Sequence, residues 1–242
     1  MPNTLFLRLE SPLQSWGERA QWGEPRDTAP EPTKSGVVGL LACALGWKDD
    51  AAIAALTDRI RIGVRCDQPG APTPLVDYHT IGGGYSKPQL LTAEGKEKRS
   101  SGKPHTEITK RHYLCDASFL VAVQSDEKTI LTLADAIQSP VWPIFLGRKS
   151  CVPSRPPFDG VKAYNDLETA LQKHPAKLYP RHYQRPLTIK VRLVLECESH
   201  EINSVRRRDV LVSRSLHLYK PRYSREKWID NVPVEYLESE GT

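Results

Sequence analysis

The chain has 242 residues, enough for one large domain or two small ones with a substantial core. Its 34 Lys and Arg against 29 Asp and Glu give a net charge of +5, a balance that permits an anionic partner without requiring one. Five cysteines, widely spaced and with no Cys-x-x-Cys pair, argue against a disulfide framework or a zinc ribbon, and no stretch approaches the eighteen apolar residues of a membrane helix; a soluble cytoplasmic protein with reduced thiols is expected.

Along the chain, Thr4 to Leu9 reads as a first strand, followed by a Pro/Gly-rich loop, "SPLQSWGERAQWGEPRDTAPEP". A helix from about Gly36 to Trp47 comes next, with Thr33 or Ser35 as its cap, and "AAIAALTDRI" extends the helical layer before the strand "RIRIGVRCD". From roughly Tyr78 to Arg111 the sequence is too long and polar for an ordinary connection and is treated as an insertion. "HYLCDASFLVAVQ" then gives a strong strand and "EKTILTLADAIQSP" an amphipathic helix closed by Pro140. The apolar piece "VWPIFLGRKSCVPSRPP", a short helix "YNDLETALQKH" and two alternating strands able to pair, "LTIKVRLVLECE" and "RRDVLVSRSLHLY", complete the pattern. The order β-α-β, insertion, β-α predicts an α+β fold with a ferredoxin-like or RRM-like antiparallel sheet. Its boundaries are expected at residues 1–160, carrying an insertion at about 78–111, and a β-rich extension at 161–242.

Lys34-Ser35-Gly36 resembles the end of a phosphate-binding P-loop, but Glu31-Pro32-Thr33 stands where that loop needs glycine, so no nest of N–H groups forms. A capped helix start beside Lys34 retains the capacity to hold one phosphate. Basic residues run in three places: the insertion, including Lys87, Lys98, Lys103, Lys110 and Arg111; the turn Gly147-Arg148-Lys149-Ser150; and a C-terminal stretch that includes Arg206, Arg207, Arg208, Arg214, Arg222 and Arg225. Each alone reads as a solvated face, but three such runs interleaved with tyrosines such as Tyr78, Tyr85 and Tyr113 suit a nucleic-acid backbone track. His79, His105 and His112, with Tyr78, Tyr113 and Lys110, also form a set able to cleave RNA without metal, or to bind phosphate and stack on bases without catalysis. No metal or cofactor motif occurs.

Taken together, "LRLESPLQSWG", "PTKSGVVGLLACALGW", "VRCD", "DYHT", "RHYLCDASFLVAV" and "FLGRKSCVPSRP" resemble, in this order, the CasD-type subunits of type I-E CRISPR Cascade, across most of the first 160 residues. The resemblance implies an RRM-like, repeat-associated fold with a thumb inserted in its sheet, and a non-catalytic role holding the 5′ handle of CRISPR RNA. It implies as partners CRISPR RNA, the backbone and large subunits of Cascade and, through the complex, target DNA. The related type I-C subunit cuts RNA, which keeps a metal-independent repeat endoribonuclease as the alternative. RNA-facing positions are expected at Gln14 and Trp16 in the first loop, Lys34 and Ser35 at the helix start, His79, His105, Lys110 and Arg111 in the thumb, and Gly147, Arg148 and Lys149 in the glycine turn.

Overall fold

The computed structural model describes residues 1–17, 25–71, 73–82, 90–92, 94–101, 103–178, 186–213 and 216–237. The expectations placed on Tyr85, Lys87 and Arg214, and on the side chain of Lys103, lie outside the described residues. The fold is mixed α+β. In chain order it contains β1 (Thr4–Gln14), α1 (Lys34–Leu45), α2 (Asp50–Arg59), β2 (Arg61–Gln68), β3 (Leu75–Gly82), β4 (Arg99–Ser100), β5 (Lys103–Pro104), β6 (Thr106–Gln124), α3 (Glu127–Gln138), β7 (Phe158–Lys162), α4 (Leu167–Lys173), β8 (Ala176–Leu178), β9 (Thr188–Cys197), β10 (Val205–Ser213) and β11 (Leu218–Tyr236).

Among the described residues one nine-stranded sheet has the order β10-β11-β9-β2-β6-β1-β7, with β3 attached to β6 and β8 to β11. β1 pairs antiparallel with both β6 and β7, and β2 pairs antiparallel with β6. The crossover from β1 to β2 runs through α1 and α2, and that from β6 to β7 through α3. Both faces of β1 are covered, and Thr4 to Leu9 are all buried. Leu5, Leu7 and Leu9 point into a core shared with Val37, Leu41 and Ile130 of the helices, whereas Phe6 points into a second core with Leu120, Leu167, Leu171 and Leu193.

The helices follow their local signals. Thr33 caps α1, its Oγ1 accepting from Gly36 N at 3.2 Å, and Gly46 ends the helix at φ 71°. A Cβ at Gly46 would stand 2.8 Å from Val141 Cγ1. Asp126 and Asp166 cap α3 and α4 through Thr129 N and Thr169 N.

One strand expectation is corrected, and two strands escape the sequence pattern. β9 does not pair with β10; β11 lies between them, pairing with β10 through residues 218–224 and with β9 through residues 223–233. β11 reads "LYKPRYSREKWIDNVPVEY", whose charges and two prolines hide its alternation. β7, the short "FDGVK" that closes the far edge, carries too little apolar pattern to announce itself. The insertion is also more regular than its composition suggests, since β3 and the first half of β6 form a continuous antiparallel ladder from Leu75↔Tyr113 to Gly82↔Thr106.

Candidate nucleic-acid interface

Among the described residues β3 has one ladder partner, β6, and its burial alternates between exposed and half-buried, so the pair leaves the main sheet as a two-stranded arm. Opposed residues share a face. Val76, Tyr78 and Thr80, facing His112, Lys110 and Ile108, make one face; Asp77, His79 and Ile81, facing Arg111, Thr109 and Glu107, make the other. The first face is open: Val76, Tyr78 and Ile108 are 48%, 61% and 48% exposed, and Lys110 is exposed beside them. No carboxylate occurs in these cross-strand pairs of the first face. The second face is charge-balanced, with His79 Nδ1 3.6 Å from Asp77, Lys98 Nζ 2.6 Å from Glu107 and His105 Nε2 3.2 Å from the same carboxylate. The hydrogen bond from Lys98 holds the Glu107 carboxyl below its ordinary range.

An aromatic ring, two aliphatic side chains and a cation with no carboxylate partner among the described residues, on one face, can stack on unstacked bases and neutralise a phosphate. An isolated two-stranded ribbon is marginal in water, so the arm depends on its root. There Tyr113 is buried in the main core, and residue 26 adds a third chain: Arg26 N donates to Lys110 O at 2.8 Å and His112 N to Arg26 O at 2.9 Å. The turn at residues 147–150 docks on the same root, with Ser15 N bonded to Leu146 O at 3.1 Å. Gly147 has φ 98°, and a Cβ there would lie 1.7 Å from Ser15 O, so no other residue fits without moving the turn.

The structure places several sequence-predicted residues inside the protein rather than on this surface. Gln14 is fully buried, donating to Leu9 O and Ala117 O and accepting from Trp16 Nε1 at 3.1 Å; Trp16, 2% exposed, packs in the helix-side core. Lys34 is 4% exposed, its ammonium held by Glu196 Oε1 and Ile60 O, both at 2.8 Å. Ser35 is half-buried with its hydroxyl 3.4 Å from that of Thr33. Arg148 turns inward, whereas Lys149 beside it is exposed. His79, His105 and Arg111 lie on the charge-balanced face of the arm and Lys110 on the open one, which divides the Tyr/His/Lys set between two faces.

The C-terminal basic stretch is largely neutralised, partly by its own Asp209 and Glu226 and partly by acids distant in sequence. Arg207 pairs with Glu31 and Glu226, Arg222 with Asp209, Arg225 and Lys227 with Glu168, and Lys220 with Asp58. Composition along the chain cannot reveal such pairing, because Glu31, Asp58 and Glu168 come from a loop and two helices elsewhere, and Asp209 and Glu226 reach their partners only across the β10–β11 ladder.

A buried ionic network also escaped the sequence reading. Arg8 and Arg65, both within 1% of full burial, project from central strands onto Asp67; Arg8 also reaches Asp159 at 2.8 Å, and Asp159 accepts from His174 at 3.1 Å and from Lys177. Burial would raise the Asp159 pKa, but hydrogen bonds from His174 and Lys177 and the Arg8 charge hold it well below the usual carboxylate range. An arginine between Leu7 and Leu9, on the face of Phe6, was the available signal. A buried charge of this kind requires a partner.

Comparison with known families decides what this architecture belongs to: the family model for a CRISPR-associated protein (Cas_Cas5) matches residues 4–233. The chain belongs to the Cas5 family of CRISPR-associated proteins. This Cas5-family chain is 34% identical over 183 residues to the CRISPR system Cascade subunit CasD of Escherichia coli (strain K12), covering 71% of this chain and 76% of that one. Among solved structures it resembles a chain of a CRISPR RNA-guided surveillance complex with a TM-score of 0.74 and 32% identity, covering 96% of this chain and 92% of the other. A second, described as a crystal structure of a Cas protein, gives a TM-score of 0.64 at 32% identity, with 95% of each chain covered. Both likenesses extend through the C-terminal strands, where the sequence motifs are least distinctive.

Proposed function

We propose that this Cas5-family chain is a non-catalytic, RNA-binding subunit of a type I-E Cascade surveillance complex, holding the 5′ handle of CRISPR RNA at the end of the complex backbone. Its partners are CRISPR RNA, the backbone and large subunits and, through the complex, target DNA. We read β2-β6-β1-β7, with its two helical crossovers, as a ferredoxin-like palm that accounts for residues 1–160 and closes with β7 at Lys162, the arm as its thumb, and the remainder of 161–242 as a β-rich extension. The observation that carries the reading is the acid-free face of the arm, where Tyr78 and Lys110 stand opposite each other with Val76 and Ile108 exposed beside them. The opposite solution, stacking bases on the open face of the sheet as RRM proteins do, is blocked: Phe6 is fully buried with the His174 ring stacked on it at 4.1 Å, and α4 covers its neighbours. RNA is therefore held by the arm and its root.

The endoribonuclease alternative needs a general base at the 2′-hydroxyl and a general acid at the leaving oxygen, both within hydrogen-bond reach of one bound phosphate. The register puts His79 and His105 on the other face, so His112 is the one arm imidazole that shares the open face with Tyr78 and Lys110, and the pair of imidazoles that could serve as base and acid is divided, which favours binding. The test is co-expression of the Cascade operon with this chain tagged, followed by sequencing of the copurifying RNA. Mature CRISPR RNA with an intact 5′ handle is expected, lost from the complex when this chain is omitted. A discrete cleavage product from repeat RNA incubated with the isolated chain in EDTA would establish the alternative.

A further inference from the structure

We propose that Arg148 is a positioning residue: its guanidinium pins the arm to the sheet and thereby sets the RNA-binding face, without itself touching RNA. Nη1 donates to His112 O at 2.9 Å, Nη2 donates to Arg26 O at 3.1 Å, and the guanidinium carbon lies 4.5 Å from the centre of the Tyr113 ring. These three contacts belong to the arm root on β6, the first-loop chain that pairs with it, and the core residue beneath both. Arg26 O accepts from His112 N as well, so the guanidinium grips two carbonyls of chains that are already bonded to each other. Among the described residues no carboxylate lies within ion-pair distance of Arg148.

The other end of the pin is equally fixed. Leu146 N donates to Cys151 O and Cys151 N to Arg148 O, both at 2.8 Å, closing the turn, and Gly147 brings it against Ser15 O closer than any side chain would allow. A planar fork with several N–H groups is needed to reach two carbonyls while lying over a ring; the ammonium of lysine, a point charge, cannot do all three. Lys149, on the same turn and exposed, is left to face solvent or phosphate.

The inference rests on the RNA-binding reading, but its first measurement needs no RNA. Hydrogen exchange is followed in the full chain for wild type, Arg148→Lys, Gly147→Ala and Lys149→Ala. Arg148→Lys keeps the charge and Gly147→Ala keeps every charge while displacing the turn. Both are expected to speed exchange of residues 105–113 about tenfold, the equivalent of one lost charge-assisted hydrogen bond, with residues 119–123 of the central sheet unchanged. Lys149→Ala is expected to leave exchange unchanged. In handle-RNA binding across a salt series, Arg148→Lys and Gly147→Ala should each lose about tenfold in affinity with no change in salt slope, and Arg148→Ala should likewise leave the slope unchanged. Unchanged exchange at 105–113 in Arg148→Lys would overturn the proposal, as would faster exchange in both segments together, which marks general loosening. A slope lowered by about 0.7 in Arg148→Ala, the signature of one phosphate contact on single-stranded RNA, would also overturn it. Absence of RNA binding by the wild type would remove the functional reading and leave the exchange result to decide the structural one.

Discussion

Asp209 Oδ2 accepts from the backbone N–H of Lys34 at 2.8 Å, so a carboxylate from β10 occupies the start of α1, where an external anion could otherwise bind. The same carboxyl group takes the Arg222 guanidinium through both oxygens, at 2.7 and 2.8 Å, and is 5% exposed. The phosphate-binding potential of the Lys-Ser-Gly segment is thus consumed within the fold, tying the first helix to the C-terminal hairpin.

Asp209→Ala removes the acceptor of the Lys34 N–H and leaves Arg222 half of a buried pair. A loss of about 3 kcal/mol in unfolding free energy is expected from urea denaturation of the full chain. A change under about 0.5 kcal/mol, the usual range for exposed sites, would mean that the helix start is hydrated instead.

Lys34→Met tests whether this lysine serves structure or RNA. It strips the charge but keeps an unbranched apolar stem, leaving Glu196 and Ile60 O without their buried donor. Stability should fall by about 2 kcal/mol, while the salt slope of RNA binding stays that of the wild type. A slope lowered with stability intact would return Lys34 to the RNA surface.

How far the sequence reached can be judged from these two residues. Thr33 as a cap, the α1 and α2 helices and the β6 strand were legible because capping chemistry and periodicity are local. The fate of Lys34 was not, since Asp209 and Glu196 lie more than 160 residues away in the chain and nothing near Lys34 marks them. The arm shows the same division: its existence follows from a long polar insertion, but which residues share a face depends on the Leu75↔Tyr113 register, and that register puts Tyr78 with Lys110 and His79 with Thr109. Arg148 misled for a different reason. A glycine turn rich in cations reads as a phosphate loop, and only geometry shows its guanidinium facing two carbonyls.

Acid should destabilise the chain through His174. Burial depresses the pKa of this imidazole below 6.5, outweighing the attraction of Asp159. As pH falls, the unfolded chain takes up the proton first, so stability is full above 6.5 and is lost as pH drops from there through the lower folded value. Asp159, depressed far below 3.8, adds a further loss only in stronger acid. The melting temperature should therefore decline between about pH 7.5 and about pH 5.5, and His174→Gln should flatten that decline. An identical slope in both proteins would assign the titration to another group.

The most direct test of the central claim is equilibrium binding of handle RNA by the full chain across a salt series, with Lys110→Ala and Tyr78→Ala compared with wild type. These residues face each other on the open side of the arm, so one should report phosphate neutralisation and the other base stacking. Lys110→Ala is expected to lower the salt slope by about 0.7, and Tyr78→Ala to lose about 1–3 kcal/mol of affinity with the slope unchanged. Wild-type affinity and slope in both variants would contradict the account and place RNA elsewhere on the chain.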